Sequence, residues 1–199
     1  LGVLLSLLFA AHWTEGYADM IQKGIGGKVV RFHVLANSDS EADQTLKLAV
    51  RDRVLQEYGD LLETCTSKEE TLAALKNAQQ EISETAEAEV LAQGYAYPVR
   101  VSLVREEFPF KKYGDLIFPA GVYDALRIEI GEAKGKNWWC VLYPQMCYVD
   151  AAWGYSTEES HVRLQNTLTK EEFLVVSAME QKKVTPKIKC RLVELWSER

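Results

Sequence analysis

Four aspartates, Asp39, Asp43, Asp115 and Asp150, stand at or near the ends of patterned segments, where chains commonly mount catalytic acids. Two carboxylates converging from such loops could divide acid and base work in a hydrolase acting on cell wall or peptide. Aspartate at these places more often caps a helix or closes a turn, so the hydrolase stands as the alternative reading. Other chemical signals are thinner. Gly131 and Gly135-Lys136 imitate a phosphate-binding loop, but the glycines are one residue too close and no Ser or Thr follows the lysine. Gly24 to Gly27 precedes a strand-like segment, whereas a dinucleotide-binding turn follows one. His12, His33 and His161 are scattered, and neither G-x-S-x-G nor H-E-x-x-H occurs. Cys65, Cys140, Cys147 and Cys190 form no C-x-x-C pair and have no histidine nearby, so neither a metal nor a cofactor is expected. Cys140 and Cys147 lie seven apart with Pro144 between them. A turn there could join them as a disulfide in an oxidising compartment or leave two reduced core thiols.

Lys47 and Arg51 form the sharpest anomaly. With successive residues about 100° apart on a helix, Leu46, Leu48, Val50, Val54, Leu55, Tyr58, Leu61 and Leu62 make a broad apolar arc, and both cations fall inside it. A buried cation needs a partner. Asp39, just upstream of the same helix, is the first candidate; the bland alternative is that both stems lie along the apolar surface and release their charges at its rim.

The elements that must position these groups follow from pattern. Val29 to Ala36 is β-branched and aromatic and ends in Asn37-Ser38-Asp39-Ser40, a strand running into a helix start. Ser40 with Asp43 opens a helix over Glu41 to Leu62, and Ser67 with Glu70 opens a second that carries Leu72, Leu75, Ile82, Ala86 and Val90 to a stop at Gly94. Alternation then begins at Val99, Val101 and Leu103. Tyr113 to Phe118 and Val122 to Ile130 read as a hairpin about Pro119-Ala120-Gly121. Trp138 to Tyr143 is apolar throughout, which suits a central or well-covered strand. The chain becomes loop-like after Asp150, Thr169 with Glu172 caps a further helix, and Lys187 to Leu195 reads as a short strand passing into a helical turn. The fold class expected is α+β, two-layer, with helices packed on one face of a mixed or antiparallel sheet.

The 199 residues are 47% hydrophobic and 26% charged, a globular composition that suits one domain over 29–199. A net charge of −6 with no basic cluster argues against nucleic acid. Leu1 to Ala11 has the length of a signal-peptide apolar region and is too short to span a bilayer. Gly16-Tyr17-Ala18 offers a cleavage site after Ala18, so 1–28 reads as a signal peptide or anchor remnant with a Gly-rich linker, and the chain as exported.

Three blocks carry a resemblance: RFHVLANSDSEADQTLKLAVRD (Arg31 to Asp52), YPVRV (Tyr97 to Val101) and YGDLIFPAGVYDALRIEIGEAKGKNWWCVLYPQMC (Tyr113 to Cys147). Together, with their spacing, they resemble the stage II sporulation protein R family over most of the chain from Val29, and only loosely after Asp150. The resemblance implies a non-enzymatic signalling protein made in the forespore and secreted across its membrane into the space between forespore and mother cell. There it would trigger its partner, a membrane-bound aspartic protease, to process the precursor of sigma-E. The block residues it carries over are His33, Asn37, Ser38 and Asp39; Lys47, Arg51 and Asp52; Tyr113, Gly114 and Asp115; and Asn137, Trp138, Trp139, Cys140 and Cys147. A signalling ligand would need an exposed patch, expected around Trp138, Trp139 and the Asn37 loop.

Overall fold

A computed structural model describes residues 16–147 and 158–177. Strand β1, Val30–Leu35, is buried along nearly its whole length. Helix α2, Glu41–Glu63, starts at the Ser40 cap, whose hydroxyl accepts the Asp43 N–H at 3.1 Å. The second expected helix is two, α3 (Lys68–Asn77) and α4 (Gln79–Ala92), divided at Ala78. The apolar stripe crosses that break, since Leu75, Ala78, Ile82, Ala86 and Val90 are all buried. Gly94, at φ +84°, closes α4 in the left-handed conformation that suits glycine.

The strands that follow are β2 (Val99–Phe108), β3 (Lys111–Tyr113), β4 (Leu116–Phe118), β5 (Gly121–Ile130) and β6 (Asn137–Tyr143). The main sheet has the order β2-β5-β1-β6, with β1 parallel to β5 and antiparallel to β6. This is the expected α+β fold with a mixed sheet, and helices cover both of its faces rather than one alone. α2, α3 and α4 bury Leu46, Val50, Val54, Leu75 and Ile82 with Phe32, Val34, Leu126 and Ile128 of the sheet. The strand alternation sends Tyr123, Ala125 and Val141 to a second core on the opposite face, which the β3–β4 ribbon supplies with Leu116 and Phe118. Helix α1 (16–26) adds Ile21 and Ile25, while α5 (Glu158–Thr167) and α6 (Lys170–Ser177) add Leu164 and Val176.

Several expectations change here. The Gly-rich linker is the end of α1: Gly24 lies against the Glu172 carboxylate and Gly26 against the Val122 carbonyl, both too close for a side chain. Tyr113 to Phe118 does not pair with Val122 to Ile130. It folds on itself as β3 against β4 around Gly114, at φ +61°, and β5 takes β2 as its partner from Gly121↔Phe108 to Ile130↔Val99. Among the described residues β6 is an edge strand, not a central one, and it is well covered as its apolar sequence suited, with a core on each face. Helix α5 was not expected, because EESHVRLQNT offers only Val162 and Leu164 as apolar residues. The Thr169–Glu172 cap holds in both directions, at 3.2 and 2.8 Å. Lys187 to Leu195 lies outside the described residues.

A Cβ at Gly26 would stand 2.7 Å from the Val122 carbonyl oxygen, whereas one at Gly16 would meet nothing within 4 Å. Gly26→Ala should therefore destabilise the protein by about 1–3 kcal/mol through overpacking against backbone, and Gly16→Ala should not. Urea unfolding of both variants checks this.

Candidate functional site

The block residues Asn37, Ser38 and Asp39 form a clasp between the β1–α2 loop and the β5–β6 turn. Asn37 Oδ1 accepts the Glu132 N–H at 2.9 Å and its Nδ2 donates to Asp43 Oδ2 at 2.9 Å. Ser38 Oγ donates to the same carboxylate, and these hydrogen bonds hold Asp43 below the ordinary carboxylate pKa. Asp39 Oδ1 accepts the Lys136 N–H at 2.6 Å. The backbone completes the clasp, with Lys134 N on Asn37 O and Gly135 N on Ala36 O. A Cβ at Gly131 would fall 2.2 Å from Asn37 Oδ1, and one at Gly135 only 2.1 Å from Ser38 O. The glycines that imitate a phosphate loop are thus those the clasp requires.

Lys47 is buried, as its place in the arc implied, but no carboxylate among the described residues pairs with it directly. Its Nζ donates to Gln44 Oε1 at 2.6 Å and to Lys136 O at 2.9 Å. Burial, then the nearby Arg51 charge, lowers its pKa, and Asp39 opposes this through space. Arg51 does find a carboxylate: Asp52, 2.6 Å away on the exposed side, while its guanidinium lies 4.8 Å from the Trp138 ring centre. Asp39 forms an ion pair with neither cation; its Oδ1 accepts the Lys136 amide, and it acts on Lys47 only through space. The arc is also narrower than its sequence suggests, with Leu48 and Leu61 largely exposed.

Trp138 and Trp139 are each half-buried, on opposite faces of β6. Trp138 meets Phe32 edge-on at 5.6 Å. Trp139 stacks on His33 with ring centres 3.6 Å apart, and Phe108 closes on it at 4.6 Å. His33 Nδ1 donates to Glu106 at 2.8 Å, and Glu106 also accepts Arg127 Nη1 at 3.2 Å. Burial lowers the His33 pKa more than Glu106 raises it.

The group that sequence reasoning missed is Arg31. It is fully buried, and the rings of Phe108, Tyr113, Phe118 and Tyr123 surround its guanidinium at 4.6, 5.8, 5.3 and 5.0 Å. Nε donates to Cys140 O at 3.0 Å and Nη2 to the Tyr113 hydroxyl at 2.8 Å, while Nη1 has no hydrogen-bond partner among the described residues. Burial drives the Tyr113 pKa far up despite this cation, so the phenol stays a neutral acceptor. A signal was available: in VRFHVL, Arg31 and His33 share one face of a strand too apolar to have a wet side.

The expected carboxylates do not form a catalytic pair. Asp39 belongs to the clasp, Asp115 beside Gly114 faces His161 Nε2 at 2.9 Å, and Asp150 lies outside the described residues. A surface groove between α2 and α4 is lined by Glu41, Ala42, Thr45, Leu46, Gln93 and Tyr95, and contains neither Asp39 nor Asp115. Among the described residues no group of three His, Cys, Asp or Glu could hold a metal ion, and no helix is long and apolar enough to cross a membrane. Cys140 and Cys147 carry free thiols, both turned toward the Val141 carbonyl, at 3.8 and 3.1 Å. The turn after β6 brings Cys147 back as expected, through Met146 N on Val141 O, without an S–S bond.

These features define an α+β domain whose distinctive residues lock its elements together, with no assembled catalytic constellation among the described residues. Residues 26–153 match the model of the family Stage II sporulation protein R, and the chain is 32% identical over 184 residues to the protein of that name from Bacillus subtilis (strain 168), covering 87% of this chain and 82% of the relative. The chain belongs to the stage II sporulation protein R family. No solved structure matches it.

Two expected outcomes follow from the buried face. Arg31→Met would strand the Tyr113 hydroxyl and the Cys140 carbonyl, and should cost about 2–4 kcal/mol in urea unfolding; unchanged stability would show that the guanidinium contributes nothing. For His33, the folded pKa lies below the ordinary histidine value of 6.5. As pH falls through that range the unfolded chain binds a proton that the folded chain resists, so stability held above it should decline until the folded pKa is reached. Unfolding midpoints between about pH 8 and about pH 5 should show this decline, and His33→Gln should flatten it.

Proposed function

We propose that this chain is an exported, non-enzymatic signalling protein of sporulation, which binds a membrane-embedded aspartic protease and triggers it to process the precursor of sigma-E. The observation that carries the reading is the family membership, which spans both the clasp and the two-tryptophan strand. The occupied aspartates support contact over catalysis, since Asp39 and Asp115 each serve a different local partner. In this reading the protein leaves the forespore and acts in the space between forespore and mother cell. Cys140 and Cys147, whose thiols approach one carbonyl, become a disulfide there by exchange with an oxidised dithiol, which takes up the two electrons and two protons.

The test is reconstitution. Membranes carrying the protease and the sigma-E precursor should cleave the precursor only when the purified chain is added on the outer side. Cleavage that ignores the chain, or none in its presence, overturns the proposal. Hydrolysis of cell wall or peptide by the chain alone would favour the carboxylate alternative.

A further inference from the structure

The sheet has two edges, and they are finished differently. At β2 the Gln79 side chain donates to Val101 O at 3.0 Å, and Arg100 and Arg105 stand exposed along the strand. A blocked carbonyl and exposed charges are how sheets discourage added strands. β6, NWWCVLY, contains no charged residue and no proline. Its register irregularity lies at the far end, where Val30 and Arg31 pair with Tyr143 and Val141, and the following turn folds back there onto Val141 O. The stretch Asn137 to Trp139 keeps regular register with Leu35 to His33, and β1 is its only strand partner among the described residues.

We propose that the outer edge of β6 at Asn137 to Trp139 is a docking edge, to which an extended acidic segment of the partner protein adds as a further strand. The class of occupant follows from the groups on offer. Among the described residues no strand lies beyond this edge, and the backbone N–H and C=O groups that alternate residues turn outward there select another strand, with alternate side chains setting specificity. Trp138 and Trp139 present one half-buried aromatic face on each side of the sheet. Cations border both: Lys111 Nζ is 5.9 Å from the Trp139 ring centre, exposed Lys136 precedes the strand, and Arg51, already paired with Asp52, lies over Trp138. In a chain of net charge −6 this is a local basic frame, complementary to carboxylates that flank an apolar strand. The same frame disfavours the chain's own alternating segment at Lys187 to Leu192, which carries Lys187, Lys189 and Arg191.

The identity of the partner rests on the protease reading above, and the experiment separates the two. Amide hydrogen exchange is followed on the full chain with a short peptide alternating valine and glutamate, with its valine–lysine counterpart, and with the glutamate peptide methylated on alternate backbone nitrogens. At about ten times its Kd, the glutamate peptide should slow exchange at residues 137–139 roughly tenfold, and the other two should not. Lys111→Glu with Lys136→Glu should reverse the preference toward the lysine peptide. Equal effects of the plain and methylated peptides, or no protection at 137–139, overturn the docking edge. In a second arm the detergent-solubilised protease replaces the peptide. A complex that leaves 137–139 unprotected overturns the edge, whereas peptide protection with no protease complex leaves the edge standing and removes the protease as its partner.

Discussion

A guanidinium sealed at the centre of an aromatic face is the constraint around which this fold is arranged. Arg31 has no carboxylate within ion-pairing reach among the described residues, so its charge is carried by ring faces and two neutral oxygens. Each ring contributes about 0.5–2 kcal/mol when desolvated, and only if all stay in place. That requirement ties together elements distant in sequence: β1 supplies the cation, β2 and β5 supply Phe108 and Tyr123, and the β3–β4 ribbon supplies Tyr113 and Phe118. The ribbon, two strands of three residues each, is too short to stand alone and is held by burial of Leu116 and Phe118 as well as by the box. The Tyr113 hydroxyl fixes it to the sheet through Arg31.

The clasp does for the opposite end of β1 what the aromatic box does for its middle. One side chain, Asn37, satisfies the turn after β5 and the first turn of α2 at once, and Asp43 gathers the donors that Asn37 and Ser38 turn inward. Lys47 extends the link by holding the Lys136 carbonyl from within the helix layer. The helix layer and the β5–β6 turn are therefore joined through charge-assisted hydrogen bonds, which are stronger than neutral ones.

How much of this was legible in the sequence depended on whether the governing contact was local. The Ser40, Ser67 and Thr169 caps, the span of α2 and the stop at Gly94 all rest on contacts within a few residues, and pattern found them. The pairing of β5 with β1 and β2, the edge position of β6 and the self-pairing of Tyr113 to Phe118 are settled by strands far apart in the chain, which periodicity does not see. The anomaly at Lys47 and Arg51 was real for Lys47, which is buried, but its partners are an amide and a carbonyl that no charge count reveals. Arg31 hid in plain alternation, one arginine in a strand, because its partners are rings instead of acids. Among the carried-over residues, Asn37, Ser38, Asp39, Asp115 and His33 have structural partners that account for them locally. Trp138 and Trp139 retain exposed surface beyond their packing.

The parallel pairing of β1 with β5 has a consequence for the order in which the molecule assembles. β1 lies between β5 and β6, with Val30 opposite Asp124 on one side and Tyr143 on the other, so the strand made first on the ribosome waits for two neighbours made much later in the chain. Such distant pairings are slow because the intervening chain must close before any contact rewards it. Until β5 has emerged, an apolar strand carrying an unboxed arginine has no sheet to join, and its second neighbour, β6, comes only after a further turn. Completion of the sheet is thus a late event, since both β6 and the turn that closes the clasp follow β5 in the chain.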